Sequence, residues 1–271
     1  MVRELENKLN RLRGLLHTYG KVAVAFSGGV DSTLLLRVAC DTLGPENVTA
    51  LHGLSCLTPV ADQIRSKALV TGPKGIHCSY LPVKIYPLSW YEFAGNSEQR
   101  CYFCKKRMYG VFQSELKNSS CRFADAVLLD GTHNDDLQKH RPGLQAVQEL
   151  LVKTPLAEAQ LCKKDIRLLA EQLCLTNWNQ PSNSCLATRI PVHQKITLPL
   201  LKRIELAEHF LLEKGFLGCR VKPGQNTIEI HVLHCDLEKI NALSLRIDMI
   251  CFLKNLGFVE NQLVIQGREK S

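Results

Sequence analysis

No apolar run in this 271-residue chain is longer than a strand, so no segment is expected to cross a membrane. The amino terminus, Met1-Val-Arg-Glu-Leu-Glu-Asn-Lys, mixes charges and lacks the apolar stretch of an export signal. A cytoplasmic location is the expectation. Acidic residues are in deficit, 26 against 34 lysines and arginines, for a net charge of +8. That excess suits an anionic partner such as a nucleotide, a polyphosphate or RNA. The cations are scattered, however, and their densest cluster is only Lys105-Lys106-Arg107. With no arginine-rich tract and no appended RNA-binding domain, charge alone does not argue for nucleic acid. Internal repeats and low-complexity tracts are absent as well.

Two familiar nucleotide signatures are missing. No Gly-Lys-Ser/Thr ending is available for a Walker A loop, and the three-glycine dinucleotide spacing is lacking. What stands instead is Val22-Ala-Val-Ala-Phe26-Ser27-Gly28-Gly29-Val30-Asp31-Ser32. Its apolar, β-branched start reads as a buried parallel strand. The residues after it, with Leu34, Leu35, Val38, Ala39 and Leu43, read as a helix. Paired glycines admit positive φ and leave no Cβ in a ligand's way. The unpaired N–H groups of the helix start attract anions. Strand, glycine turn and helix together make a phosphate site. Ser27-Gly28-Gly29-Val30-Asp31-Ser32 resembles the PP-loop of the ATP pyrophosphatases. In that family the loop holds the ATP pyrophosphate while a substrate oxygen attacks the α-phosphorus to give an adenylate.

Along the chain, Leu5, Leu9, Leu12 and Leu16 mark one face of an amphipathic helix ending at Gly20. Strands are expected over 21–26, 47–54, 77–85 and 126–129, with helices over 32–43, 60–70 and 101–116. Residues 87–99 read as a loop and 131–156 lack strong periodicity. A helix is expected over 163–174 and a polar loop over 177–185. Alternating strands and helices predict a doubly wound, mostly parallel α/β sheet. Ligands of such sheets bind beyond the carboxyl ends of the strands, where Ser27 and Asp130 both fall. Composition changes near Pro191. The pattern predicts domains at 1–190 and 191–271, the second a small α+β module with helices over 198–214 and 237–256 and strands near 219–222, 227–232 and 262–265.

Twelve cysteines are many for such a chain, and without an export signal a disulfide scaffold is not expected. Cys40, Cys162, Cys174 and Cys251 fall in helical patterns as small core residues; Cys56, Cys78, Cys121, Cys219 and Cys235 lack ligand spacing. Cys101-Tyr-Phe-Cys104 opens a helix beside Lys105, Lys106 and Arg107, and Cys185 lies on a polar loop. Structural zinc needs four ligands, and a second Cys-x-x-Cys is missing. A thioredoxin-like pair expects another flank. Three thiolates can hold a 4Fe-4S cluster with one iron open to an external ligand. The remaining alternative is a packed pair and an unrelated Cys185.

Arg100-Cys-Tyr-Phe-Cys-Lys-Lys106, Asp130-Gly131 with Asp135-Asp136, Arg141-Pro142-Gly143-Leu144 and Ser184-Cys-Leu-Ala-Thr-Arg-Ile-Pro191 join the loop in one series. Together they resemble the LarE family of ATP-dependent sulfur transferases over almost the whole chain. The sequence departs from that pattern at His133, at Gln138-Lys139 before His140, and over 54–59. The resemblance implies ATP-driven adenylation of a carboxylate on a pyridinium mononucleotide, then displacement of AMP by sulfur to leave a thiocarboxylate. The product belongs to the biosynthesis of the nickel-pincer nucleotide of lactate racemase. One branch of the family sacrifices the sulfur of a single cysteine, at the position of Cys185. The other holds a 4Fe-4S cluster on three cysteines, which Cys101, Cys104 and Cys185 match. Arg220 and Lys222 match positions that hold a substrate phosphate, and Glu208, Glu229 and Asp236 match acidic positions nearby.

The expected cofactors are therefore ATP, Mg²⁺ and a 4Fe-4S cluster. Ser27, Gly28, Gly29, Asp31 and Ser32 would bind ATP, with Asp31 a Mg²⁺ ligand. Cys185 and Asp31 would be the catalytic groups, and a homo-oligomer is expected. The rivals are a PP-loop tRNA thiolase, an ammonia-using synthetase that leaves the cysteines unexplained, and a non-catalytic nucleotide- and zinc-binding protein.

Overall fold

The computed structural model describes residues 2–118, 122–138, 141–182, 184–224, 226–258 and 262–269; Cys121, Lys139 and His140 lie outside them. In order, the first part contains α1 (Val2–Tyr19), β1 (Val22–Ala25), α2 (Val30–Leu43), β2 (Val48–Leu54), α3 (Val60–Thr71) and β3 (Ser79–Lys84). It continues with α4 (Tyr91–Ala94), α5 (Arg100–Asn118), β4 (Val127–Leu129), α6 (Asn134–Leu137), α7 (Pro142–Glu149), α8 (Pro155–Glu158) and α9 (Lys163–Gln172). After these come α10 (Leu198–Glu213), β5 (Arg220–Pro223), β6 (Thr227–Leu233), α11 (Leu237–Ile240), α12 (Leu243–Asn255) and β7 (Gln262–Arg268).

The first four strands form one sheet in the order β3-β2-β1-β4, and every pair in it is parallel. This is the expected α/β sheet. Val22 and Val24 of β1 and Val48 and Ala50 of β2 alternate onto one face. There they join Leu12 and Leu16 of α1, Leu34, Leu35 and Val38 of α2, and Ile166 and Leu169 of α9 in one buried cluster. Gly53 points to the other face, where Phe112 of α5 comes so close that a Cβ would lie 3.3 Å from its ring. With helices on both faces, the carboxyl ends of the strands are left to the loops, which is where chemistry collects in such sheets.

Residues 131–156, without clear periodicity in sequence, begin three helices of four to eight residues among the described residues, the last running to Glu158. None is long enough to repeat an apolar face, though Pro142 and Pro155 mark two of the starts. The helix expected over 237–256 is broken in two, because the Asn241 side chain donates to the Leu237 carbonyl at 2.8 Å and closes the first turn. The last strand runs on to Arg268 through Gln266 and Gly267, which carry no apolar alternation.

The chain divides into two compact units: 1–55, 60–87 and 99–180 in the first, and 56–59, 88–98 and 181–271 in the second. Hydrogen bonds explain the two excursions. Leu57 accepts from the Leu186 N–H at 2.8 Å, and the Asn96 amide donates to Pro191 and Gln194 carbonyls at 2.7 and 2.8 Å. In the second unit β5 pairs antiparallel to β6 and β6 parallel to β7, with Val221, Ile228, Ile230 and Val232 buried among them.

Candidate active site

After β1 ends at Ala25, the chain turns through Ser27-Gly28-Gly29 and enters α2 at Val30. Gly28 takes φ +75°, the left-handed region, and a Cβ there would lie 1.9 Å from the Ser66 Oγ. Both conditions demand glycine. Ser66 in turn donates to the Ser27 carbonyl at 3.3 Å. Ser32 is buried, and its hydroxyl donates to the Gly29 carbonyl at 3.1 Å while facing Ser27 Oγ at 3.2 Å. Its hydroxyl thus braces the loop from within. No side chain caps α2 at Gly29. The first-turn N–H groups, which have no helical acceptor, are therefore available to an anion.

Several partners were not legible as such in the sequence. Asn177 is buried and donates to the Gly28 carbonyl at 3.0 Å and to Thr33 Oγ1 at 2.9 Å, tying the turn after α9 to the loop. Lys163, at the start of α9, reaches both oxygens of Asp31 at 2.7 and 2.8 Å. Its own N–H donates to Asp135 at 2.9 Å. Asp135 and Lys163 thus fix the only carboxylate of the loop at its mouth. Spacing could not reveal this pair, since 132 residues separate Lys163 from Asp31.

Asp130 ends β4 on the same side. It is buried, with Thr132 donating through its N–H at 2.7 Å and through its hydroxyl, and with Tyr109 and Lys105 donating to the other oxygen. Burial opposes its charge, yet Lys105 at 3.1 Å and these hydrogen bonds hold its carboxyl below the usual range. Burial and the neighbouring Asp130 push the Tyr109 hydroxyl well above its ordinary value. Gly131 follows, and a Cβ on it would lie 3.2 Å from the Ser32 nitrogen. A larger residue there would have to push the start of α2 back by a few tenths of an ångström.

Cys101 and Cys104 occupy the first turn of α5, one exposed and the other half-buried. Gly143 of α7 packs on that turn, where a Cβ would meet Lys105 Cδ at 3.0 Å. Tyr102 and Lys106 both bond Glu149, at 2.8 and 2.9 Å, and clamp α5 to α7. The Cys-x-x-Cys and Lys105 are therefore rigidly borne. Two thiols three residues apart on one helical turn can reach a common metal centre, and soft thiolates suit iron–sulfur chemistry rather than Mg²⁺. Among the described residues, no three of His, Cys, Asp and Glu gather as a metal site.

Cys185 belongs to the second unit, half-buried, just before a short turn over Leu186–Arg189. Arg189, 1% exposed, organises that loop. It donates to the Ser184 hydroxyl at 2.7 Å, the Ser184 carbonyl at 3.0 Å and the Cys185 carbonyl at 3.4 Å. Through its other edge it grips Glu208 at 2.8 and 3.1 Å. Glu208 also accepts the Val221 N–H at 2.9 Å, so its carboxylate is committed within the fold. Arg220 and Lys222 lie on β5, with Glu229 paired to Lys222 across the strands. Asp236 ends the turn after β6.

No family model matches the chain. Individual proteins do. It is 31% identical over 97% of its length, and 95% of the other chain, to an uncharacterized protein of Synechocystis. Over 88% of its length it is 29% identical to an uncharacterized protein of Methanocaldococcus jannaschii, covering 86% of that chain. To the pyridinium-3,5-bisthiocarboxylic acid mononucleotide synthase of Lactiplantibacillus plantarum it is 32% identical over 94% of its length and 89% of that enzyme. A match of that depth spans the phosphate loop, the Cys-x-x-Cys helix and the Cys185 loop together, and by it the chain belongs to the LarE family.

Proposed function

We propose that this sulfurtransferase adenylates a carboxylate of a pyridinium mononucleotide with ATP and replaces the AMP by sulfur, leaving a thiocarboxylate for nickel-pincer nucleotide biosynthesis. The observation that carries the proposal is the uncapped α2 start behind Gly28-Gly29, in a chain matched nearly end to end by a mononucleotide thiocarboxylate synthase. A carboxylate is a poor electrophile, because its leaving group would be oxide. In the first step its oxygen bonds the α-phosphorus and pyrophosphate departs; in the second, sulfur bonds the carbonyl carbon and AMP departs.

The loop N–H groups and Ser27 receive the departing pyrophosphate. Asp31, an oxygen donor at the loop mouth, would hold Mg²⁺. Lys163 keeps that carboxylate in place and adds a positive charge beside the polyphosphate. Cys101, Cys104 and Cys185 would hold a 4Fe-4S cluster, which when bound supplies the sulfide. Arg220 and Lys222 bind the substrate phosphate. In this scheme 1–190 carries adenylation, and 191–271 substrate binding and self-association in a homo-oligomer.

The direct test is an anaerobic assay with ATP, Mg²⁺, sulfide and the dicarboxylated pyridinium mononucleotide, read by mass spectrometry. A mass gain corresponding to exchange of oxygen for sulfur is expected, with AMP and pyrophosphate in equal amounts. Intact-mass measurement of the protein after turnover tests the sulfur source. Unchanged protein, with sulfur transfer lost in each of Cys101→Ala, Cys104→Ala and Cys185→Ala, is the expected result. Dehydroalanine at position 185, with full activity in Cys101→Ala, would overturn the cluster and establish a sacrificial cysteine.

A further inference from the structure

Two thiols meet at the end of α2 opposite the phosphate loop. Cys40 lies in the last turn of that helix, 8% exposed, within the cluster that α1, α2 and α9 form on the sheet. Cys78 stands one residue before β3, half-buried, and packs on the same cluster. Both are free thiols. They are neighbours, and the Cys40 S–H is hydrogen-bonded to the Cys78 sulfur. The two sulfurs are not equivalent. The hydrogen bond from Cys40, with backbone N–H groups of Cys78 and Ala50, lowers the Cys78 thiol although burial opposes it. The same bond, with burial, raises Cys40. The thiolate is the nucleophile, so the more accessible sulfur is the reactive one and the buried sulfur keeps its proton.

The backbone decides which sulfur can move. A disulfide needs its sulfurs about 2.05 Å apart, far closer than a hydrogen bond leaves them. Cys40 is held, because its carbonyl accepts the Gly44 N–H at 3.0 Å where α2 ends. Leu36 and Ala39, beside it in the helix, are fully buried. Cys78 follows a turn in which the Gly75 N–H donates to the Gly72 carbonyl at 2.8 Å, and it leads into the edge strand of the sheet. With one side of β3 unpaired among the described strands, the approach to that strand can give where α2 cannot. At 1.5 Å per residue the pair lies about 16 Å along α2 from Gly29, so it is distinct from the phosphate loop.

We propose that Cys78 and Cys40 form a peroxide-sensitive pair, oxidised reversibly to a disulfide, with Cys78 the attacking thiol and Cys40 the resolving one. The Cys78 sulfur bonds one oxygen of hydrogen peroxide, the O–O bond breaks, and the departing hydroxide takes up a proton as water. The Cys40 sulfur then bonds the Cys78 sulfur, and its proton leaves with the sulfenic hydroxyl as a second water. Two thiols are oxidised and one peroxide is reduced to two waters. The test adds hydrogen peroxide to the reduced full chain and maps a non-reducing digest by mass spectrometry. A Cys40–Cys78 peptide, lighter by two hydrogens than its separate halves and reversed by dithiothreitol, is expected. It should form at least about fivefold faster than Cys174 and Cys251 are oxidised, two exposed thiols that serve as the reference. In Cys40→Ala, dimedone should trap Cys78 as a sulfenic acid, whereas in Cys78→Ala, Cys40 should stay unlabelled. Absence of the cross-linked peptide from wild type once Cys174 and Cys251 are oxidised, or a disulfide from Cys78 to another cysteine, overturns the pair. Dimedone on Cys40 in folded Cys78→Ala overturns the assignment of attacking and resolving thiols.

Discussion

Gly28→Ala should damage the enzyme in two separable ways. A left-handed φ of +75° costs alanine about 1–2 kcal/mol over glycine. The new Cβ would also stand 1.9 Å from Ser66 Oγ and 2.7 Å from Ser66 Cβ. Rotating the hydroxyl relieves the first overlap but not the second. Carbon atoms rest at roughly 3.5–4.0 Å, so the loop or α3 must give by about 1 Å. Overpacking of that kind costs roughly 1–3 kcal/mol, for a total of about 2–5 kcal/mol. A displacement of about 1 Å in the amides that receive pyrophosphate lowers turnover by roughly 100-fold. Urea unfolding measures the first quantity, and ATP-dependent pyrophosphate release the second. The cause is isolated by a cycle with Ser66→Gly. In that background Gly28→Ala should cost only the backbone term, giving a coupling of about 1–3 kcal/mol. Stability within about 0.5 kcal/mol of wild type with normal pyrophosphate release, or no coupling to position 66, would refute the reasoning.

Three further outcomes follow from the same geometry. Asp31→Ala should abolish pyrophosphate formation without unfolding the chain, and Lys163→Met should lower it roughly 100-fold, in line with loss of one charge-stabilising donor; normal release by both removes the loop assignment. Arg189→Met strands a buried Glu208 and should cost about 3–5 kcal/mol in denaturant unfolding, whereas Arg189→Met with Glu208→Leu should cost less than the sum of the single changes. His52 is buried, with Nδ1 2.7 Å from the Tyr80 hydroxyl, and burial lowers its imidazole to about 4. An unfolded histidine protonates near pH 6.5, so the unfolded chain takes up the proton first as pH falls. Stability is full above about pH 6.5 and declines toward pH 4, by about 3 kcal/mol in total. His52→Asn should flatten that slope in unfolding measured at several pH values, and an unchanged slope would contradict the burial argument.

What the sequence by itself determined is what short-range physics dictates. The apolar run into Ser27-Gly28-Gly29 required a buried strand, a turn through positive φ and a helix start. Leu5 to Leu16 required one buried helical face, and alternating elements required a parallel sheet. The short helices that begin in 131–156 were not legible, because four to eight residues give at most about two turns of an apolar face. The break at Asn241 depended on one amide turning back to Leu237. Tertiary structure alone decided the partners. Lys163 meets Asp31 and Asn177 meets Gly28 only after strands and helices have packed. Such pairs are joined by single charges or amides across 132 and 149 residues of chain, and no periodicity or spacing rule encodes a contact of that kind.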